Sequence, residues 1–239
     1  MPPTRLDLPD AIPPQILRRL QSYQSVFQST TSMDAVLRTS GMSELQDDLQ
    51  TVLLGGVIWG YHCTKEPKSG FFETEGLRLT DLRNHQTQFL RDHGHCFSAQ
   101  EKQILSDGWE RQFHRDRMAL EGRNRKVWMC LSRPGWPHDG TERFFEYFGG
   151  EAIYWPFVHG QQHASIASKL RAIGSPVVVE VAVPAADLVR FGPIARYVLE
   201  CHHQRLNPSV RRPDAEAYVE RDLAPEEVIQ VTPRRSFVP

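Results

Sequence analysis

The sequence predicts an α+β protein, helical in its first quarter, with strands arriving at uneven intervals afterwards. Three observations carry this. Residues 13 to 54 place apolar side chains at helical spacing, with Ile16, Leu17, Leu20, Tyr23 and Phe27 marking one stripe. Short β-branched and aromatic runs follow at 57–63, 127–131, 175–183 and 227–231. The gaps between those runs differ too much for the regular β-α alternation of a doubly wound sheet.

Composition narrows the class further. A chain of 239 residues, 40% of them hydrophobic, has room for a sizeable core in one large domain with an added helical element. With 28 Lys plus Arg against 29 Asp plus Glu, the net charge of -1 excludes a generic polyanion binder, whose affinity comes from an excess of basic side chains. The longest apolar run, 51–59, falls far short of the roughly 20 residues a membrane helix needs, so no membrane partner is expected. The first residues lack the apolar stretch of a secretory signal, and the expected location is cytoplasmic. Cys63, Cys96, Cys130 and Cys201 form no C-x-x-C pair, which fits reduced thiols. His93-Gly94-His95-Cys96 and Cys201-His202-His203 cluster soft ligands without zinc spacing, so no metal is expected.

The elements follow in order. Pro13-Pro14 suits a helix start, and Ser32 or Ser40 suits the cap of a shorter helix. The composition changes at Gly55-Gly56, which divides a helical segment over 1–54 from an α+β domain over 55–239. The first core strand is 57–63. Residues 71–76 read as one or two helical turns with Gly76 in C-cap position. The stretch 82–117 is polar and helical, with Leu90, Phe97, Ile104, Leu105, Trp109 and Phe113 as its apolar minority. A strand at 127–131 is bounded by Lys126 and by Arg133-Pro134-Gly135. A helix over 141–148 stops at Gly149-Gly150, and 151–155 is expected to continue as a strand. Residues 161–173 are helical, 175–183 is the clearest strand, and 227–231 is the last.

Several chemistries lose their signature residues. The chain has no G-x-x-x-x-G-K-[ST] loop, no G-x-G-x-x-G, no G-x-S-x-G elbow and no H-E-x-x-H. Three segments fit together instead: Gly60-Tyr61-His62-Cys63-Thr64-Lys65, Lys126-Val127-Trp128-Met129-Cys130-Leu131-Ser132, and Gly149-Gly150-Glu151-Ala152-Ile153-Tyr154. They offer a histidine and a carboxylate at the edges of two strands, with aromatic surface between them. Gly149 and Gly150 would let a ligand approach Glu151 closely. A carboxylate beside aromatic surface stabilises a developing positive charge. The blander reading of the same residues pairs Glu151 with an arginine such as Arg133 and makes His62 a satisfied core histidine.

The order and context of these segments resemble the ADP-ribosyltransferases of the diphtheria-toxin and poly(ADP-ribose) polymerase (His-Tyr-Glu) type, as a remote bacterial member. That family's first strand carries Tyr-His-Gly-Thr or His-Gly-Ser before a short helix ending near Gly-Leu, which Tyr61-His62-Cys63-Thr64 and Gly76-Leu77 resemble. Its second signature is an aromatic on a strand, as in Gly-Ile-Tyr-Phe, matched by Trp128. Its third is a glutamate opening a later strand, as in Glu-Tyr-Ile, which Glu151-Ala152-Ile153-Tyr154 resembles. Cys63 stands where the family has glycine, and Trp128 where it has tyrosine.

The resemblance implies a split β-sheet sandwich with an N-terminal helical segment and helices around the cleft. It also implies an enzyme that uses NAD as co-substrate, releases nicotinamide, and transfers ADP-ribose to a nucleic acid or protein. His62 would hold the adenosine ribose, with Tyr61 beside it and Thr64 adding a hydrogen bond. Trp128 and Tyr147 would sandwich the nicotinamide, Glu151 would stabilise the cation, and Arg133 would meet the pyrophosphate. The wider setting implied is a bacterial toxin or defence effector, with an antitoxin or immunity partner. RNA 2'-phosphotransfer, NAD glycohydrolysis and a non-catalytic NAD- or nucleotide-binding module remain as alternatives. Arg111, His114, Arg115, Arg117, Arg123, Arg125 and Lys126 concentrate positive charge, read either as a phosphate-tracking surface or as a solvated helix face.

Overall fold

The computed structural model describes residues 3–115, 117–132, 141–159, 161–190, 192–211, 213 and 215–234. Pro14 opens α1 (Pro14–Leu20) at the first helical position, where a missing N–H costs nothing. α2 (Gln24–Ser29) and α3 (Met33–Leu37) follow, and the Ser32 hydroxyl caps α3 by accepting from the Ala35 N–H at 3.3 Å. α4 (Met42–Leu54) buries Met42, Leu45, Leu49 and Leu53, a stripe at three- and four-residue spacing.

β1 (Val57–Glu66) extends past the expected end, and α5 (Phe71–Glu75) stops at Gly76. Gly76 has φ +70°, and a Cβ there would lie 2.1 Å from the Leu223 carbonyl oxygen, so both backbone and space require glycine. α6 (Leu82–His93) is capped by Asp81, which accepts from the Asn84 N–H at 3.0 Å. α7 (Ala99–Trp109) starts with a reciprocal Ser98 and Glu101 capping box. A π-type turn over Glu110–His114 leads to α8 (Arg117–Arg123) and then β2 (Val127–Cys130).

α9 (Glu142–Glu146) and α10 (Glu151–Tyr154) come next. The strand expected from 151 is therefore a helical turn. Gly149 at φ +84° and Gly150 at φ +67° reverse the chain, and the N–H groups of Ile153 and Tyr154 donate to the Gly150 carbonyl at 3.0 and 3.1 Å. α11 (Ala164–Ala172) and β3 (Ser175–Pro184) match expectation. α12 (Ile194–Leu206) and β4 (Glu216–Val219) are elements the sequence reading did not assign, and β5 (Val228–Pro233) closes the series.

The α+β class holds. The five strands form one sheet in the order β4-β2-β1-β3-β5, with β1 and β2 antiparallel and Tyr61 opposite Cys130. Val177, Val179, Val181 and Val183 of β3 are all buried, as a strand inside a sheet requires.

The chain divides into two compact units, each assembled from separate stretches. The first comprises Met1–Tyr61, Trp128–Arg133 and Val181–Tyr218. In it the N-terminal helices do not stand apart from later sequence. Gln50 of α4 accepts from the Ala195 N–H of α12 at 2.9 Å, and Arg196 of α12 donates to Asp34 of α3 at 2.7 Å. The second comprises His62–Val127, Pro134–Glu180 and Val219–Pro239, with a core of Phe89, Leu105, Trp109, Tyr154, Phe157 and Leu170. Among the described residues no helix is long and apolar enough to cross a membrane.

Candidate functional site

Side chains alternate along β1, so His62 and Thr64 leave the strand together on one face and Tyr61, Cys63 and Lys65 on the other. His62 and Thr64 are half-buried, with surface left to meet a ligand. Tyr61 is 0% exposed, which makes its ring part of the core rather than a ligand-binding surface. Lys65, also buried, donates from its ammonium to the carbonyls of Glu146 and Arg171, at the ends of α9 and α11. Burial pushes its pKa down, and the Glu146 charge opposes that shift.

The two expected ring partners are both engaged within the fold. Tyr147 is 5% exposed, accepts from the Arg171 guanidinium at 2.5 Å, and lies with its ring 4.9 Å below that cation. Burial, and next the Glu146 charge, raises its pKa. It is a packed residue at the end of α9, without an open stacking face. Trp128 has its indole centroid 4.7 Å from the ring of Tyr218 on β4, an aromatic contact within the sheet. Arg133, the expected pyrophosphate contact, lies outside the described residues.

Glu151 is positioned by side chains from three directions. His85 of α6 bonds the Gly149 carbonyl through Nε2 at 3.0 Å, and Gln86 donates to the Ala152 carbonyl at 3.1 Å. Trp109 of α7 donates from Nε1 to the Ile153 carbonyl at 2.9 Å. These bonds fix the turn that begins α10. The Glu151 carboxylate then accepts from Nε of Arg123 on α8, so its arginine partner is Arg123 rather than Arg133. The pair lines a cavity of about 150 Å³ together with Phe113, Met118, Gly122 and Trp155. Beside it, burial and the Glu151 charge push the Tyr154 hydroxyl well above its ordinary pKa.

One glutamate at a strand opening was missed in the sequence. Glu216 opens β4, in Glu216-Ala217-Tyr218-Val219, with Ala217 and Val219 buried and Tyr218 against Trp128. Glu216 thus opens a strand, whereas Glu151 opens a helix. Its signal was the period-two alternation of a four-residue run, short enough to escape notice.

The basic stretch is partly spent on internal contacts. His114 bonds Gln86 at 2.9 Å, Arg123 pairs with Glu151, and Lys126 donates to the Glu121 carbonyl at 2.8 Å. Arg111, Arg115 and Arg125 are exposed. Compared with known proteins, the chain matches no protein-family model, no curated protein and no solved structure.

Proposed function

We propose that the chain is an NAD-dependent ADP-ribosyltransferase acting on a macromolecular acceptor, nucleic acid or protein. The observation that carries this reading is Glu216 at the mouth of β4, the strand next to β2 and one removed from β1 in the sheet order. Trp128 and Glu216 share one face of neighbouring strands, and the register of β1 with β2 puts His62 and Thr64 on the other face. A split-sheet fold of the ADP-ribosyltransferase kind is part of the same proposal, as is the setting of a bacterial toxin or defence effector.

In this mechanism the groups that act on NAD lie on the face of the sheet that carries Trp128 and Glu216. Glu216 binds a hydroxyl of the nicotinamide ribose. The bond between C1' and the pyridinium nitrogen breaks, its electron pair leaves with neutral nicotinamide, and the ribose becomes an oxocarbenium ion. The acceptor's nucleophilic atom bonds to C1' as its proton passes to the Glu216 carboxylate. Electrostatic stabilisation of this kind is worth about 3 to 4 kcal/mol. Trp128 acts through Tyr218, two residues along β4 from Glu216, as a positioning residue.

The test is incubation with NAD labelled on nicotinamide and on adenylate, with nucleic acid and protein acceptors in separate reactions. Released nicotinamide and an acceptor carrying the adenylate label are the expected products. Glu216→Gln should slow release about 10²- to 10³-fold. No release with any acceptor overturns the reading. Loss on Glu151→Gln with Glu216→Gln still active overturns the choice of glutamate.

A further inference from the structure

The cavity between α8 and α10 is distinct in its chemistry from the strand-borne residues of the proposed NAD reaction. We infer that it is a binding site for one planar ring bearing an amide edge, a C=O beside an N–H, as found in nicotinamide and in nucleobases such as uracil. Its volume of about 150 Å³ matches a single aromatic ring. Phe113 and Trp155 supply aromatic walls and Met118 an adaptable one, 84% exposed at the surface. Gly122 also lines it, and a Cβ there would meet nothing within 4 Å, so a larger side chain has room to enter.

The polar side of the cavity matches the edge of the ring. Only Nε of Arg123 and one oxygen of Glu151 are joined in their ion pair. Arginine carries five donors and a carboxylate two acceptor oxygens, so Arg123 and Glu151, both lining the cavity, keep bonding capacity beyond the one Nε contact. A guanidinium donor next to a carboxylate acceptor complements a C=O next to an N–H. The hydrogen bonds from α6 and α7 side chains to Gly149, Ala152 and Ile153 preorganise the acceptor before any ring arrives.

This inference stands apart from the NAD reading and is tested without turnover. Binding of nicotinamide, uracil, N,N-dimethylnicotinamide and pyridine to the full chain is measured by calorimetry, alongside the Gly122→Leu and Glu151→Gln variants. Nicotinamide, uracil or both should bind at least tenfold more tightly than N,N-dimethylnicotinamide and pyridine, which lack the N–H. Gly122→Leu, which fills the void on a helix, should weaken binding at least tenfold with an unchanged melting temperature. Should that variant unfold, Glu151→Gln decides, because it should erase the preference for nicotinamide over its dimethyl form. Binding of nicotinamide alone identifies the source as a dinucleotide, and binding of uracil alone as a nucleic-acid base. Equal affinity for the dimethyl form, wild-type affinity in a folded Gly122→Leu, or no binding of either ring overturns the site. Nicotinamide release from NAD is measured on the same preparation, so failure here and failure of the proposed reaction are read separately.

Discussion

At Lys65 a charged side chain sits buried on β1 and hydrogen-bonds two carbonyls that helix ends would otherwise leave unsatisfied. Lys65→Met keeps the stem and removes the donor, and should cost about 1 to 3 kcal/mol in denaturant unfolding. The histidines set an acid limit on the fold. Burial holds His85, His93 and His114 below the usual imidazole value of 6.5, and it pulls His202 down to about 4, with Arg205 and His203 adding to the shift. The folded state therefore prefers neutral rings, while an unfolded chain protonates near 6.5. The stability these rings allow is complete above that pH and is lost as pH falls from about 6.5 toward 4. His202 also packs edge-on against Phe27 at 5.2 Å, so its protonation would charge an apolar contact. The melting temperature should fall between pH 7 and pH 5, and His202→Gln should make the fall shallower; a flat or rising profile contradicts this assignment.

At the scale of the element, α12 owes its start to α4. The Gln50 side chain satisfies the Ala195 N–H in the first turn, the role a cap residue plays elsewhere, since Pro193 offers no side-chain acceptor. Gln50→Ala should cost about 1 kcal/mol, measured by the denaturation midpoint at unchanged slope. The elements that could be read in the sequence are those with one buried face or a local cap. α4 shows a single apolar stripe, α7 carries Ser98 and Glu101 at capping-box spacing, and β3 is an unbroken β-branched run. α12 was illegible for the opposite reason. It buries Ile194, Ala195, Tyr197, Val198, Leu199, Cys201 and His203 around much of its circumference, which erases the amphipathic period. At α10, Ala152-Ile153-Tyr154 suits strand or helix equally by composition, and the decision came from two left-handed glycines and three side chains far away in sequence. That misassignment put Glu151 at the mouth of a strand in the sequence reading, where the structure has a helical turn. The shared face of His62 and Thr64 was legible because a two-residue spacing on a strong strand fixes it.

Over the whole molecule, each compact unit is built from stretches widely separated in the chain, and β1 and β3 each run through the boundary. Residues 1–54 belong to a unit that also contains α12, so the helical segment and the strands form one folding problem. The net charge of -1 conceals the exposed Arg111, Arg115 and Arg125. The proposed function is chemical: cleavage of the bond between nicotinamide and ribose, with Glu216 proposed as the carboxylate that stabilises the cation. The most direct measurement is the rate of nicotinamide release from NAD by the wild-type chain and by Glu216→Gln, with melting temperatures to show that both are folded. The account predicts release by the wild type and a loss of about 10²- to 10³-fold in the variant. Equal rates in two folded proteins, or no release from the wild type with any acceptor, would contradict it.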